Sequence, residues 1–186
     1  MEKNNKIAVK EFLLSGEPVT RLTGNEFSKI EGITLKEQVT AFFNSIGNTA
    51  KSVFGDVLLD NKAFKSDSAH GLSRAKIASF KAIPQILENG ISILPMEEHK
   101  KGVISGMIGA PISIAEKEYI TVAVIRGDKN RLYVHEVTLK EKILESSSNP
   151  VRVGLQATNQ GILSKGNTSN GSITNIVQKI ISAKSD

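Results

Sequence analysis

The sequence predicts an α+β protein, with helices through its first half, an antiparallel meander after Ile91 and a closing helix. Three observations carry this. Thr34 and Glu37 form a capping box ahead of an apolar stripe at helical spacing. From Ile91 the β-branched and aromatic residues fall into strand-length runs split by turn residues. Near the end, Ser172 precedes Ile173, Ile176, Val177 and Ile180, which share one helical face. At 186 residues the chain is one domain by length, large enough to bury a core without a metal or disulfide.

In order along the chain, residues 1–15 alternate charged and apolar positions and read as a first strand or an extended lead-in. Gly16, Pro18 and Gly24 punctuate a short strand at Val19–Leu22. A helix follows over about 35–46, with Leu35, Val39, Phe42, Phe43 and Ile46 as its stripe and Gly47 as its stop. Gly55-Asp56 introduces a strand at Val57–Leu59. Ser66 or Asp67 then caps a helix carrying Leu72, Ile77 and Phe80 inward, and Pro84 is expected to force Ile83 out of helical geometry. Pro84 opens a second short helix closed by Asn89 and Gly90.

The meander is ISIL, GVISGMIGAPISIA, EYITVAVIRG and NRLYVHEVTLK, with Arg126–Asn130 as a hairpin loop. By period-two alternation, Leu132, Val134, Glu136 and Thr138 share one face of the last strand, and Tyr133, His135 and Val137 the other. Residues 143–171 are rich in Ser, Asn and Gly and read as loop, with Val151–Leu155 as a candidate edge strand.

Composition narrows the chemistry. The chain is 39% hydrophobic and 23% charged, a globular profile. It has no cysteine, which excludes disulfides, zinc-thiolate sites, iron-sulfur clusters and thiol nucleophiles. A net charge of +5 favours an anionic partner, with nucleic acid slightly favoured. No apolar run approaches the ~20 residues of a membrane span, and the first residues lack a signal-peptide stretch, so a cytoplasmic protein with no membrane partner is expected. His70, His99 and His135 have no metal-ligand spacing, so neither a metal nor another cofactor is expected. Gly102, Gly106 and Gly109 do not form a dinucleotide or phosphate loop, and no GxSxG elbow is present.

What remains is an imidazole and ammonium set. His70 and Lys76, with Ser68, Ser73 and Arg74, cluster around the first turns of one helix, and His135 lies on a strand beside Tyr133. Cleavage of RNA by its own 2′-hydroxyl needs a base, an acid for the departing 5′-oxygen and a cation for the phosphorane. Two histidines and one lysine or arginine suffice, because imidazole has both protonation forms accessible near neutral pH. Each residue also has a plainer reading. His70 between Ala69 and Gly71 suits a cap or a solvated position, His135 a satisfied strand position, and His99 in EEHKK a solvated loop. Lys76 and Arg74 suit the wet side of a helix, and Tyr133 a half-buried sheet position.

SDSAHGLSRAKIASFKAIPQILENG, then GAPISIAEKEYITVAVIRG and NRLYVHEVTL, resemble the nuclease-like domains of polyvalent phage and mobile-element proteins. Those belong to the BECR superfamily, which groups barnase, the EndoU nucleases, colicin-type tRNA nucleases and RelE toxins. VTRLTGNEF, FGDVLLDNKAF and NGSITNIVQKI look like the same family's lead-in and closing helix. The similarity runs over roughly 18–182, so 1–17 is a lead-in and 18–186 a single nuclease-like domain; its specific part is Ser-x-His-Gly with Lys76, then Tyr-x-His at 133–135.

The resemblance implies N-terminal helices packed on a four- to five-stranded antiparallel sheet and a metal-independent endoribonuclease. It implies His70 as one acid-base group, His135 as the other or as a phosphate ligand, and Lys76 as the phosphorane stabiliser. Ser68 and Ser172 or Thr174 would hydrogen-bond phosphate or ribose, with the N-terminus of the last helix assisting as an anion site. Ser73, Arg74 and Tyr133 complete the candidate substrate-binding set. The implied role is a toxin or phage effector that cuts tRNA or other RNA, leaving a 2′,3′-cyclic phosphate, with an acidic immunity protein as partner. The alternative is a catalytically silent module of a polyvalent protein that binds nucleic acid or protein.

Overall fold

Val9, Phe12 and Leu13 recur at helical spacing, and in the computed structural model they lie along α1, Lys3–Ser15. Residues 3–60, 72–127 and 131–142 are described. The expected strand or lead-in over 1–15 is therefore corrected. Val9 and Leu13 are fully buried against Ile93, Ile120, Val122 and Val124, so this segment belongs to the packed body. The charged residues between them made an alternation that a helix fits equally well. Gly109 admits the helix, since a Cβ there would stand 2.4 Å from Ile93 Cδ1 and 3.1 Å from Leu13 Cδ2.

β1, Arg21–Leu22, falls inside the expected strand but pairs parallel with a later one. Helix α2, Leu35–Ser45, starts at the expected capping box. The Thr34 Oγ1 accepts from the Glu37 N–H at 3.2 Å, and the Glu37 carboxylate accepts from the Thr34 N–H at 2.7 Å. Next comes a hairpin of β2, Thr49–Ser52, and β3, Gly55–Leu58. Its turn at Val53-Phe54 is closed by Gly55 at φ 106°, a conformation glycine adopts without strain.

α3, Arg74–Ser79, is capped by Ser73, whose hydroxyl accepts from the Lys76 N–H; the expected caps Ser66 and Asp67 lie outside the described residues. A 3₁₀ turn, Phe80–Ala82, then runs directly into α4, Ile83–Asn89. Ile83 is helical, at φ −52° and ψ −46°, contrary to the expectation set by Pro84. The tightened turn explains this: the Ile83 N–H bonds Phe80 O, the carbonyl that Pro84 has no N–H to satisfy. α4 ends at Asn89 with Gly90 as C-cap, as expected.

The meander is β4, Ile91–Lys100; β5, Val103–Ile114; β6, Lys117–Gly127; and β7, Leu132–Glu141. β4 carries His99, so that residue lies in a strand and not in a loop. β6 runs through Arg126 and Gly127, which pair with Tyr133 and Leu132 and are not loop residues.

The α+β class stands, but the sheet is neither purely antiparallel nor limited to four or five strands. Among the described residues it has seven, in the order β1-β5-β6-β7-β3-β2, with β4 also paired to β5. β1 runs parallel to β5 and β3 parallel to β7, because each reaches its neighbour only after helical segments have turned the chain back. β4 takes Val103–Gly109 of β5 and β1 takes Ser113–Ile114, end to end on one edge. Pro111 lies in the gap between them, where a missing N–H leaves no ladder bond unmade, and its carbonyl accepts from Val19.

The two faces of the sheet are buried differently. α2, α3 and α4 pack on one, where Phe43, Phe80, Ile83, Ile86 and Leu87 meet Ile108, Ile112, Ala123, Ile125, Val134 and Val137. α1 covers part of the other. No helix among the described residues is long and apolar enough to cross a membrane. The expected closing helix and the 143–171 loop, with its candidate strand at Val151–Leu155, lie outside the described residues.

Candidate functional site

The last strand contains an irregularity that decides which side chains meet. Val134 pairs with Ile125 and Glu136 with Val124, so His135 is the extra residue of a β-bulge between the two registers. Val134 and Val137, three residues apart, both enter the helix-covered core, opposite Ile125 and Ala123. The period-two assignment is thereby corrected. Glu136 and Thr138 leave the Val134 face, and Val137 leaves the His135 face.

The second face of β6 and β7 consequently gathers Arg126, Tyr133, His135 and Glu136. Arg126 stands directly opposite Tyr133. The Tyr133 and His135 rings meet edge to face, with centroids 6.5 Å apart. Both are half-buried, while Glu136 is only 5% exposed. The Arg126 Nε is buried and finds no acceptor among the described residues. A buried donor of this kind costs about 1–3 kcal/mol unless an acceptor is supplied. Further along this face lies Lys140, whose ammonium burial holds below the usual lysine range.

The four groups comprise a carboxylate, an imidazole, a guanidinium and a phenol. Together they can accept a proton, donate one and neutralise a developing oxyanion. Among the described residues no three His, Asp or Glu side chains are grouped to hold a metal ion.

The other sequence candidates are placed elsewhere. Ser73 serves as the α3 cap, and Arg74 clamps the β1–α2 loop, its Nε donating to Gly24 O at 3.1 Å and its terminal nitrogen to Asn25. Lys76 is half-buried on α3, over the helix-covered face. His135 is on the opposite face. Gly24, which Arg74 grips, follows β1, whose Leu22 pairs with Ile114, while the bulge lies level with Gly106 and Met107 of β5. Seven residues of strand separate Met107 from Ile114, about 23 Å at 3.3 Å per residue. α3, which carries Lys76, and the His135 bulge thus sit on opposite faces of the sheet. Tyr133 and His135 are brought together as expected. Ser68, His70, Ser172 and Thr174 lie outside the described residues.

No family model, curated protein or solved structure matches the chain. Geometry alone bears on its function. Sequence reasoning missed Arg126, assigned to a loop, and Glu136, assigned to the wrong face. A signal for the bulge was present: Val134 and Val137 both demand burial, and their spacing of three breaks a strict alternation.

Proposed function

We propose that this protein is a metal-independent endoribonuclease whose reacting groups are Glu136, His135 and Arg126 on the second face of the sheet. The observation that carries this is the bulge, which puts a carboxylate, an imidazole and a guanidinium with an unmet donor on one surface. Glu136 takes the 2′-hydroxyl proton as the oxygen attacks phosphorus. The P–O5′ bond breaks, and His135 as imidazolium returns a proton to O5′. Arg126 neutralises the phosphorane, and Tyr133 orients the imidazole through its ring edge. Products are a 2′,3′-cyclic phosphate and a 5′-hydroxyl. Lys76 drops out of this set, because the sheet stands between it and His135.

The low exposure of Glu136 favours the second reading, a catalytically silent RNA-binding module, since a base must reach its substrate. One experiment separates the two. Purified protein is incubated with total RNA in EDTA, and product ends are analysed. Cleavage lost in His135→Ala and Glu136→Gln but kept in Lys76→Ala supports the enzyme. Salt-sensitive RNA retention without any cleavage supports the binding module. His70→Ala belongs in the same series.

A further inference from the structure

A second polar cluster lies on the helix side of the sheet. The sheet's two terminal strands, β1 and β2, both border one cavity of about 500 Å³ roofed by α2 and α4. That volume lies in the range of small-molecule sites. Its apolar lining comes mainly from Leu22, Phe42, Ile46 and Pro84. Lys51, Lys81, Thr20, Thr49, Gln85 and Glu88 also line it.

Lys81 is fixed. Its Nζ sits 3.7 Å from the Phe42 ring centroid, and Phe42 is itself braced by Phe27 at 6.0 Å. Neither lysine has an ion pair among the described residues, although Glu88 borders the same cavity. The Thr20 and Thr49 hydroxyls and the Gln85 and Glu88 side chains likewise make no hydrogen bond there. Two cations without an ion pair among the described residues suit an anion. Glu88 calls for hydrogen-bond donors on the same ligand, which a simple fatty anion lacks. The apolar lining calls for a flat or apolar body.

We infer that this cavity binds a nucleotide: phosphate between Lys51 and Lys81, hydroxyl or amino donors on Glu88 and Gln85, and the base against Leu22, Ile46 and Phe42. The chemistry is shared by a free nucleoside monophosphate and by an unpaired nucleotide of a strand. The site is on the opposite side of the sheet from His135 and does not depend on RNA cleavage.

The test is calorimetric titration of the whole chain with AMP, UMP, adenosine, inorganic phosphate, decanoate and a short single-stranded RNA. Saturable AMP or UMP binding, weakened about tenfold or more by Lys51→Ala and by Lys81→Ala, is expected. It should persist in His135→Ala, and adenosine and phosphate alone should each bind more weakly. Saturation by the mononucleotide identifies a free ligand, and saturation by the strand alone identifies an unpaired nucleotide; either supports the site. No nucleotide or strand binding at millimolar concentration, wild-type affinity in both lysine variants, or decanoate binding in place of nucleotides overturns it. Lys51 is exposed and Lys81 half-buried at the surface, so circular dichroism of the variants should match the wild type.

Discussion

Deleting His135 should leave the fold almost untouched, whereas deleting Val137, two residues away, should damage it severely. Without His135 the ladder closes with Val134 still opposite Ile125, Glu136 opposite Val124 and Val137 opposite Ala123. Every side chain keeps its face, so the expected change is within about 1 kcal/mol. Without Val137 two outcomes are available. If the bulge closes, Glu136 moves opposite Ala123 on the helix-covered core face. If it persists, Leu139 and Lys140 exchange faces. Either way a buried valine is lost, at about 1.5–3 kcal/mol, and a charged group enters or strains the core, at about 1–3 kcal/mol more. The sum, about 2.5–6 kcal/mol, corresponds to a fall in Tm of about 5–24 °C for a chain of this size, against less than about 4 °C for the first deletion. Thermal melts and urea titrations of the two variants measure this directly. Equal destabilisation by both would refute the bulge assignment, and with it the grouping of Glu136 beside His135.

Other expectations concern the frame that carries these groups. Thr34→Ala should cost about 1 kcal/mol at neutral pH by removing the α2 cap, measured by urea unfolding. The Thr34 hydroxyl and N–H hold the Glu37 carboxyl below its usual 4.5, so its contribution is present above that value and is lost as pH falls through the lower folded value. Glu37→Gln should therefore flatten the acid limb of Tm against pH below 4.5. Lys142→Ala should free the C-terminus of α1, because the 8%-exposed ammonium bonds Leu14 O and Glu118 at 3.1 Å each. A loss of about 1–3 kcal/mol is expected, with α1 amides exchanging first. Ile86→Ala, at the centre of the helix-covered core, should cost about 2–5 kcal/mol by leaving a cavity.

Features set by near neighbours were legible in the sequence. Thr34 and Glu37 are three residues apart and satisfy each other's backbone, so nothing distant was needed to recognise α2. The same holds for the end of α4 at Asn89 and for the strand character of β4 to β7. What stayed hidden depends on distant partners. α1 is helical because Val9 and Leu13 have Ile93, Ile120 and Val122 to cover, and its own residues suit a strand as well. The pairing of β3 with β7 is invisible from Val57–Leu58, since any edge would satisfy those residues. The relation between two of the candidate site residues was hidden for the same reason. Residue type pointed to Lys76 and His135, but the sheet between them depends on contacts that neither segment encodes.

The long-range ties of this architecture also govern when it can be completed. Val57 waits for Leu132 as its strand neighbour, and Leu14 waits for the ammonium 128 positions further on. At translation speeds of about 5–20 residues per second, the anchor of α1 is synthesised roughly 6–25 s after Leu14 itself. During that interval the β2–β3 hairpin presents an unpaired edge, because Val57 has Ala50 on one side and nothing yet on the β7 side. Until β7 closes the sheet, that edge is open to pairing with the wrong strand, so the order of synthesis sets how long the chain is exposed to mispairing.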